Sequence, residues 1–99
     1  MLLKPLQFEW DLWNINKNEI KHGVSRIETE SSFSDPFQCI FDDIKHSSAK
    51  EKRYILFANS MENRILMIGF TLRAGRVRVI TARIASRKER KLYEKEKKS

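Results

Sequence analysis

A chain of 99 residues with 20 Lys or Arg against 13 Asp or Glu, a net charge of +7 and 40% apolar residues has room for one domain with a modest core. Its apolar runs fall far short of the roughly 20 residues that a membrane span needs, and Met1-Leu2-Leu3-Lys4-Pro5 lacks the features of a signal peptide, so a cytoplasmic protein is expected. The lone cysteine, Cys39, rules out an internal disulfide and any cysteine metal cluster, and its apolar neighbours Phe37, Ile40 and Phe41 suit an inert, buried thiol.

Phe8-Glu9-Trp10-Asp11 predicts a short extended piece, because Pro5 blocks a helix before it and Asp11 is a good cap for the segment after it. Residues 12–22 predict a helix. Leu12, Trp13, Ile15 and Ile20 give it a partly apolar face, Lys21 and His22 complement the dipole in its last turn, and Gly23 is the natural left-handed stop. Ser25 opens a second short helix to about Ser32, and Asp35-Pro36 turns the chain. Strands are predicted over 37–42, 53–58, 64–72 and from Arg76, separated by a polar connection over 43–52, a hairpin loop over 59–63 and a turn at Ala74-Gly75. The run 64–72 is apolar enough for a central strand with both faces covered.

In the last strand Val77, Val79 and Thr81 alternate against Arg78 and Ile80, and Ser86 with Glu89 forms a capping box that opens a basic helix. The order predicts an α+β fold with a four- to five-strand, mainly antiparallel sheet, two N-terminal helices and a basic C-terminal helix, the helices lying on one side of the sheet. A single domain spans 1–99, with 1–6 and 95–99 as flexible ends.

The positive charge is local. Residues 83–99 hold eight Lys or Arg against three Glu, which accounts for +5 of the total. Such a stripe suits a nucleic-acid backbone and equally an acidic protein partner. There is no HExxH, no Gly-x-Ser-x-Gly, no phosphate-binding glycine loop and no ligand spacing between His22 and His46, so no metal and no cofactor are expected.

Arginine on a sheet remains. Metal-independent RNA cleavage requires an activated 2′-hydroxyl, fixed cations around the pentavalent phosphate and a proton for the leaving 5′-oxygen. Arg53, Arg64 and Arg83 lie at or near strand ends, where they either converge on one phosphate or pair with Glu9, Asp42, Asp43 or Glu51 as structural bridges. His46, in a polar loop, is the candidate proton carrier or else a bystander, while His22 is explained by helix capping. Trp10 and Trp13 either stack bases or pack in a core or partner interface. Arg87, Arg90 and Tyr93 on the basic helix, with Lys52, are the candidate RNA contacts, Tyr93 having the alternative of packing on the sheet.

Taken together, Phe8-Glu9-Trp10-Asp11, Asn18, Lys21-His22-Gly23-Val24-Ser25, Asp35-Pro36, His46-Ser47, Glu51 with Arg53, Arg64-Ile65-Leu66, Thr71-Leu72-Arg73 and the run from Arg78 to Tyr93 resemble the BrnT family of bacterial toxins over residues 8–94. The resemblance implies a RelE-like fold and a ribonuclease toxin of a type II toxin-antitoxin system. It also implies inhibition by a BrnA-type ribbon-helix-helix antitoxin in a 2:2 complex, with DNA reached only through that antitoxin. Arg64, Arg83, His46 and the helix from Ser86 to Tyr93 match the family pattern. Asn14 stands in place of the usual lysine, Arg26 of an aromatic and Ala58 of a glycine, and the stretch from His46 to Arg53 is one residue longer. The expectation is therefore an endoribonuclease that cuts cellular RNA, the alternative being a degenerate toxin that acts as a binding module or co-regulator with its antitoxin.

Overall fold

The computed structural model describes residues 6–98, which form a five-stranded sheet and three helices. In chain order these are β1 (Phe8–Glu9), α1 (Leu12–His22), α2 (Arg26–Ser32), β2 (Cys39–Asp42), β3 (Arg53–Asn59), β4 (Ile65–Arg73), β5 (Arg76–Ile84) and α3 (Arg87–Lys97). The strands lie in the order β1-β5-β4-β3-β2. From β2 to β5 the sheet is the predicted antiparallel meander, with β4 in its middle. The extended N-terminal piece adds a fifth, parallel strand, pairing Phe8 with Val77 and Glu9 with Arg78.

Each helix begins where the sequence offers a side-chain cap. Asp11 Oδ1 accepts from Asn14 N at 2.8 Å and Ser25 Oγ from Glu28 N at 3.0 Å. Ser86 and Glu89 complete the predicted capping box at 3.2 and 2.8 Å. Gly23 ends α1 with φ +65°, a left-handed turn that glycine enters without steric cost.

The core fills one face of the sheet. Leu56 and Ala58 of β3, Leu66, Ile68 and Phe70 of β4 and Val77, Val79 and Ala82 of β5 meet Val24 and Phe33 from the helical segment. Phe33 stands edge-on to Phe8 and Phe70, and Phe70 stacks on Tyr54. Leu6 also packs against this cluster; of the ends expected to be flexible, residues 1–5 and Ser99 lie outside the described residues. The C-terminal helix runs to Lys97, whose ammonium sits 5.0 Å from the Phe37 ring.

Two expectations about faces fail. The helices do not share one side: α1 and α2 serve the core face, whereas α3 lies on the other, its Glu89 lining the same cleft as Ile55 and Met67 of the outward rows. And most of the apolar side of α1 turns away from the sheet: Leu12, Trp13 and Ile20 are exposed, and of the four only Ile15 is half-buried. Asn14 and Asn18 face it, because β1 stops at Glu9 and leaves the edge of β5 without a strand beyond it. Asn14 Nδ2 donates to Val79 O at 3.3 Å and Asn18 Oδ1 accepts from Ala82 N at 3.1 Å, so the helix closes the edge with side-chain amides.

The attachment of α3 is polar as well. Tyr93 is buried, and its hydroxyl donates to Asp35 Oδ2 at 2.6 Å, an oxygen that also accepts from Asn59 N at 2.8 Å. Burial first, and then this hydrogen bond, push the Tyr93 phenol well above its usual value. A raised pKa stabilises the fold below the unfolded value of about 10, and that contribution is lost as the pH rises beyond it. Tyr93→Phe is expected to cost about 1–2 kcal/mol in chemical denaturation at neutral pH. The same variant should have a shallower alkaline loss of stability than the parent.

Candidate active site

The outward face of the sheet carries a cleft of about 350 Å³ lined by Ile55, Met67, Gly69, Ile80 and Thr81, with Arg53, Arg83, Asp43, His46 and Glu89 at its rim. Its floor comes from a break in alternation. Gly69 pairs with Thr81 but Phe70 pairs with Val79, which makes Ile80 a bulged extra residue. Ile80 and Thr81 therefore both line the cleft, while Val79 and Ala82 on either side remain in the core. The alternation read from the sequence holds through Val79 and breaks at this bulge.

Gly69 is the midpoint. It pairs with Ile55 on one side and Thr81 on the other; Arg53 lies two residues before Ile55, and Arg83 two after Thr81. At about 3.3 Å per residue and 4.8 Å per strand, the two arginine Cα atoms stand roughly 16 Å apart on opposite corners. Extended guanidinium arms from both corners can close on a group held over the glycine. A Cβ at Gly69 would come within 3.1 Å of Thr81 Cγ2, so a side chain here would crowd the floor.

Each corner arginine already has a carboxylate. Arg83 is held by Glu89 through two hydrogen bonds of 2.8 and 2.9 Å, which raise the guanidinium pKa and lower that of Glu89. Arg53 engages Glu51 through Nε at 3.0 Å, and among the described residues no partner is seen for its two terminal nitrogens. The cleft is thus a set of paired charges rather than a bare cationic bowl. A phosphate entering it would share or displace Glu89.

His46 sits on a tied-down turn. Ser47 Oγ donates to Asp43 O at 2.7 Å and accepts from Arg53 N at 2.8 Å, and Asp43 N donates to Arg53 O at 2.9 Å. The imidazole Nδ1 lies 2.8 Å from Asp43 Oδ2. With the proton of the neutral ring on Nδ1, facing this carboxylate, Nε2 keeps its lone pair for proton exchange.

Arg64 does not join them. It enters β4 on the core side, where Nε donates to Glu28 Oε2 at 2.8 Å, Nη2 makes a second, very short contact with Glu28 Oε1, and Nη2 also donates to Gly23 O at 2.9 Å. This is a structural bridge, and its carboxylate is none of the four expected from the sequence. It stands on the opposite face of the sheet from Arg53 and Arg83. Glu28 is held below the usual carboxylate range, chiefly by its hydrogen bond from Arg64.

The expected RNA contacts are also divided. Arg87 and Arg90 are exposed on α3, where they border a separate concavity with Lys91 and Lys98. Lys52 lies 3.6 Å from Asp42 and over the Tyr54 ring. Tyr93 takes the packing alternative and cannot meet a ligand while its hydroxyl is buried on Asp35.

His22 remains at the end of α1, with its pKa lowered by partial burial and then by Lys21 and Arg83. Trp10 packs against the core and donates to Glu30 Oε2 at 2.8 Å. Cys39 is half-buried and burial raises its thiol pKa, as an inert thiol requires. Among the described residues no cluster of three or more His, Cys, Asp or Glu comes together in a metal-binding arrangement, and no helix is long and apolar enough to cross a membrane.

Sequence reasoning missed Asp43, Glu89 as a cleft wall, and Gly69. The Asp43-x-x-His46 spacing was the available signal for the first, since three residues bring two side chains together in a turn. Nothing local marks Gly69, whose importance comes from two neighbouring strands.

The fold has a counterpart among solved structures. The crystal structure of the Brucella abortus ribonuclease toxin BrnT is similar at a TM-score of 0.61 and 21% sequence identity, over 83% of this chain and 99% of that one. No curated protein matches the chain in sequence. The family model described as the ribonuclease toxin BrnT of type II toxin-antitoxin systems matches residues 10–89. With most of its length under that model, the chain belongs to the BrnT family of ribonuclease toxins.

Proposed function

We propose that this protein is an endoribonuclease that cuts cellular RNA in the cytoplasm without a metal ion, and so inhibits translation and growth until an antitoxin binds it. The observation that carries the reading is the convergence of Arg53, Arg83 and the Asp43–His46 pair on one cleft. His46 Nε2 takes the proton of a ribose 2′-hydroxyl; the 2′-oxygen forms a bond to phosphorus as the bond to the 5′-oxygen breaks, which leaves a 2′,3′-cyclic phosphate. Arg53 and Arg83 neutralise the charge that builds on the phosphate oxygens. The leaving 5′-oxygen receives its proton from the imidazolium just formed or from water. Arg87 and Arg90 hold the flanking backbone.

The test is incubation of purified protein with labelled RNA in excess chelator, with the ends mapped. Cleavage with cyclic phosphate ends is expected, and His46→Ala should lower the rate at least about a hundredfold. Cleavage that the chelator abolishes, or that survives His46→Ala unchanged, defeats this mechanism.

The neutralising partner in this proposal is a BrnA-type ribbon-helix-helix antitoxin whose dimer carries two toxin chains. One observation favours a second reading: Arg83 already has its carboxylate, as a docking module without turnover would. A tight antitoxin complex that binds operator DNA, with no toxicity from the free chain, would establish that alternative.

A further inference from the structure

Helix α1 is built inside out. Its sheet-facing side is polar and hydrogen-bonded through Asn14 and Asn18, four residues apart, whereas Leu12, Trp13 and Ile20 are 79%, 75% and 87% exposed. At 100° per residue Trp13 and Ile20, seven apart, fall almost in line, with Leu12 and Asn16 beside them, so the three apolar side chains form one outward stripe. Single exposed apolar residues are ordinary, but a contiguous stripe on a helix whose opposite side has already been used for folding marks an interaction surface.

From this stripe we infer that α1 is a docking site for an acidic, amphipathic helical segment of the antitoxin. The inference rests on the proposed function for its partner. Charge selects the occupant. Lys17 and Lys21 border the stripe beside Trp13 and Ile20, and Glu19 beside Leu12 leaves the helix with a net positive charge, so an acidic helix would complement its lysine side. The i, i+4 ridge of Leu12, Asn16 and Ile20 offers the groove that a partner helix packs into, and Trp13 supplies the large aromatic anchor typical of binding hot spots. The site also has a route to inhibition. His22, at the end of the same helix, is near enough to Arg83 to feel its charge, so a segment seated on α1 and continuing past His22 reaches the rim of the cleft.

The experiment measures binding of the full-length chain to a purified BrnA-type antitoxin. Trp13→Ala with Ile20→Ala is expected to weaken the complex by roughly a hundredfold or more. RNA cleavage and thermal stability of the free variant should stay at parental values, because neither residue touches the cleft or the core. Lys17→Glu with Lys21→Glu should weaken binding in a way that added salt diminishes.

Unchanged affinity in the apolar double variant overturns the inference. So does an antitoxin without such a helix, a parental chain that fails to bind it, or self-association of the free chain that the same substitutions abolish, which would make a second copy the occupant. Loss of binding in the double variant together with a parental chain that cuts no RNA would leave this site standing and remove the nuclease reading instead.

Discussion

Arg83→Ala is expected to lower RNA cleavage by about a hundredfold to a thousandfold, the range for removal of a fixed donor from a developing anionic charge. The loss should appear in kcat more than in KM, because the guanidinium meets its greatest charge when phosphorus is five-coordinate. Arg83→Lys keeps the charge and loses the planar fork that holds Glu89 at two points, so only part of the rate should return. Removing Arg83 also leaves Glu89 as an uncompensated carboxylate on the cleft wall, where it would repel RNA. Arg83→Ala with Glu89→Gln separates the two effects. Recovery of affinity without recovery of kcat identifies Arg83 as a stabiliser of the reacting phosphate, while full recovery of kcat would reduce it to a counter-charge. Glu89 keeps its bond from Ser86 N when Arg83 alone is replaced, so α3 retains its cap and the fold should survive.

The opposite pattern is expected at Arg64. Arg64→Ala strands Glu28, a carboxylate only 4% exposed, with the Ser60 hydroxyl as its remaining side-chain partner. Breaking a buried pair from one side costs about 3–5 kcal/mol, and because Arg64 itself is partly solvated the expected loss here is about 2–4 kcal/mol. RNA cleavage per folded molecule should be nearly unchanged, since Arg64 stands on the far face of the sheet from the cleft.

Acid should affect the parent and this variant differently. In the parent, Glu28 has a depressed pKa, so the pair stabilises the fold above the unfolded carboxylate value of about 4.3 and this contribution is lost as the pH falls below it. In the variant, burial is the dominant influence and favours the protonated acid. The stability gap between the two proteins should therefore be widest at neutral pH and shrink as the pH falls through about 4. Denaturation at neutral pH and at about pH 4 measures it. A gap that widens in acid, or a variant of full stability with no turnover, would place Arg64 in the chemistry after all.

Arg64 and Arg83 look alike in the sequence: each is a basic residue at the edge of an apolar strand. What separates them is which side of the sheet they meet and which carboxylate is waiting there, Glu28 at a separation of 36 residues and Glu89 at 6. Tyr93 is similar. Its helix and cap were legible, but its partner Asp35 is 58 residues away, and that distance decided between ligand contact and packing.

The amino-acid sequence specifies locally where elements start and stop. Asp11, Gly23, Ser25 and the Ser86–Glu89 box act within one helical turn, so their effect is the same in any fold that contains them. It also determined the antiparallel order of the long strands, because short turns leave adjacent strands no other way to pair. Long-range packing set the parallel addition of β1, the bulge at Ile80, the outward turn of most of the apolar side of α1 and the division of the arginines between two faces. Each of these depends on hydrogen-bond groups or charges brought together from distant positions, and the energy of such a meeting is set by the neighbour's location in space rather than by any local pattern along the chain.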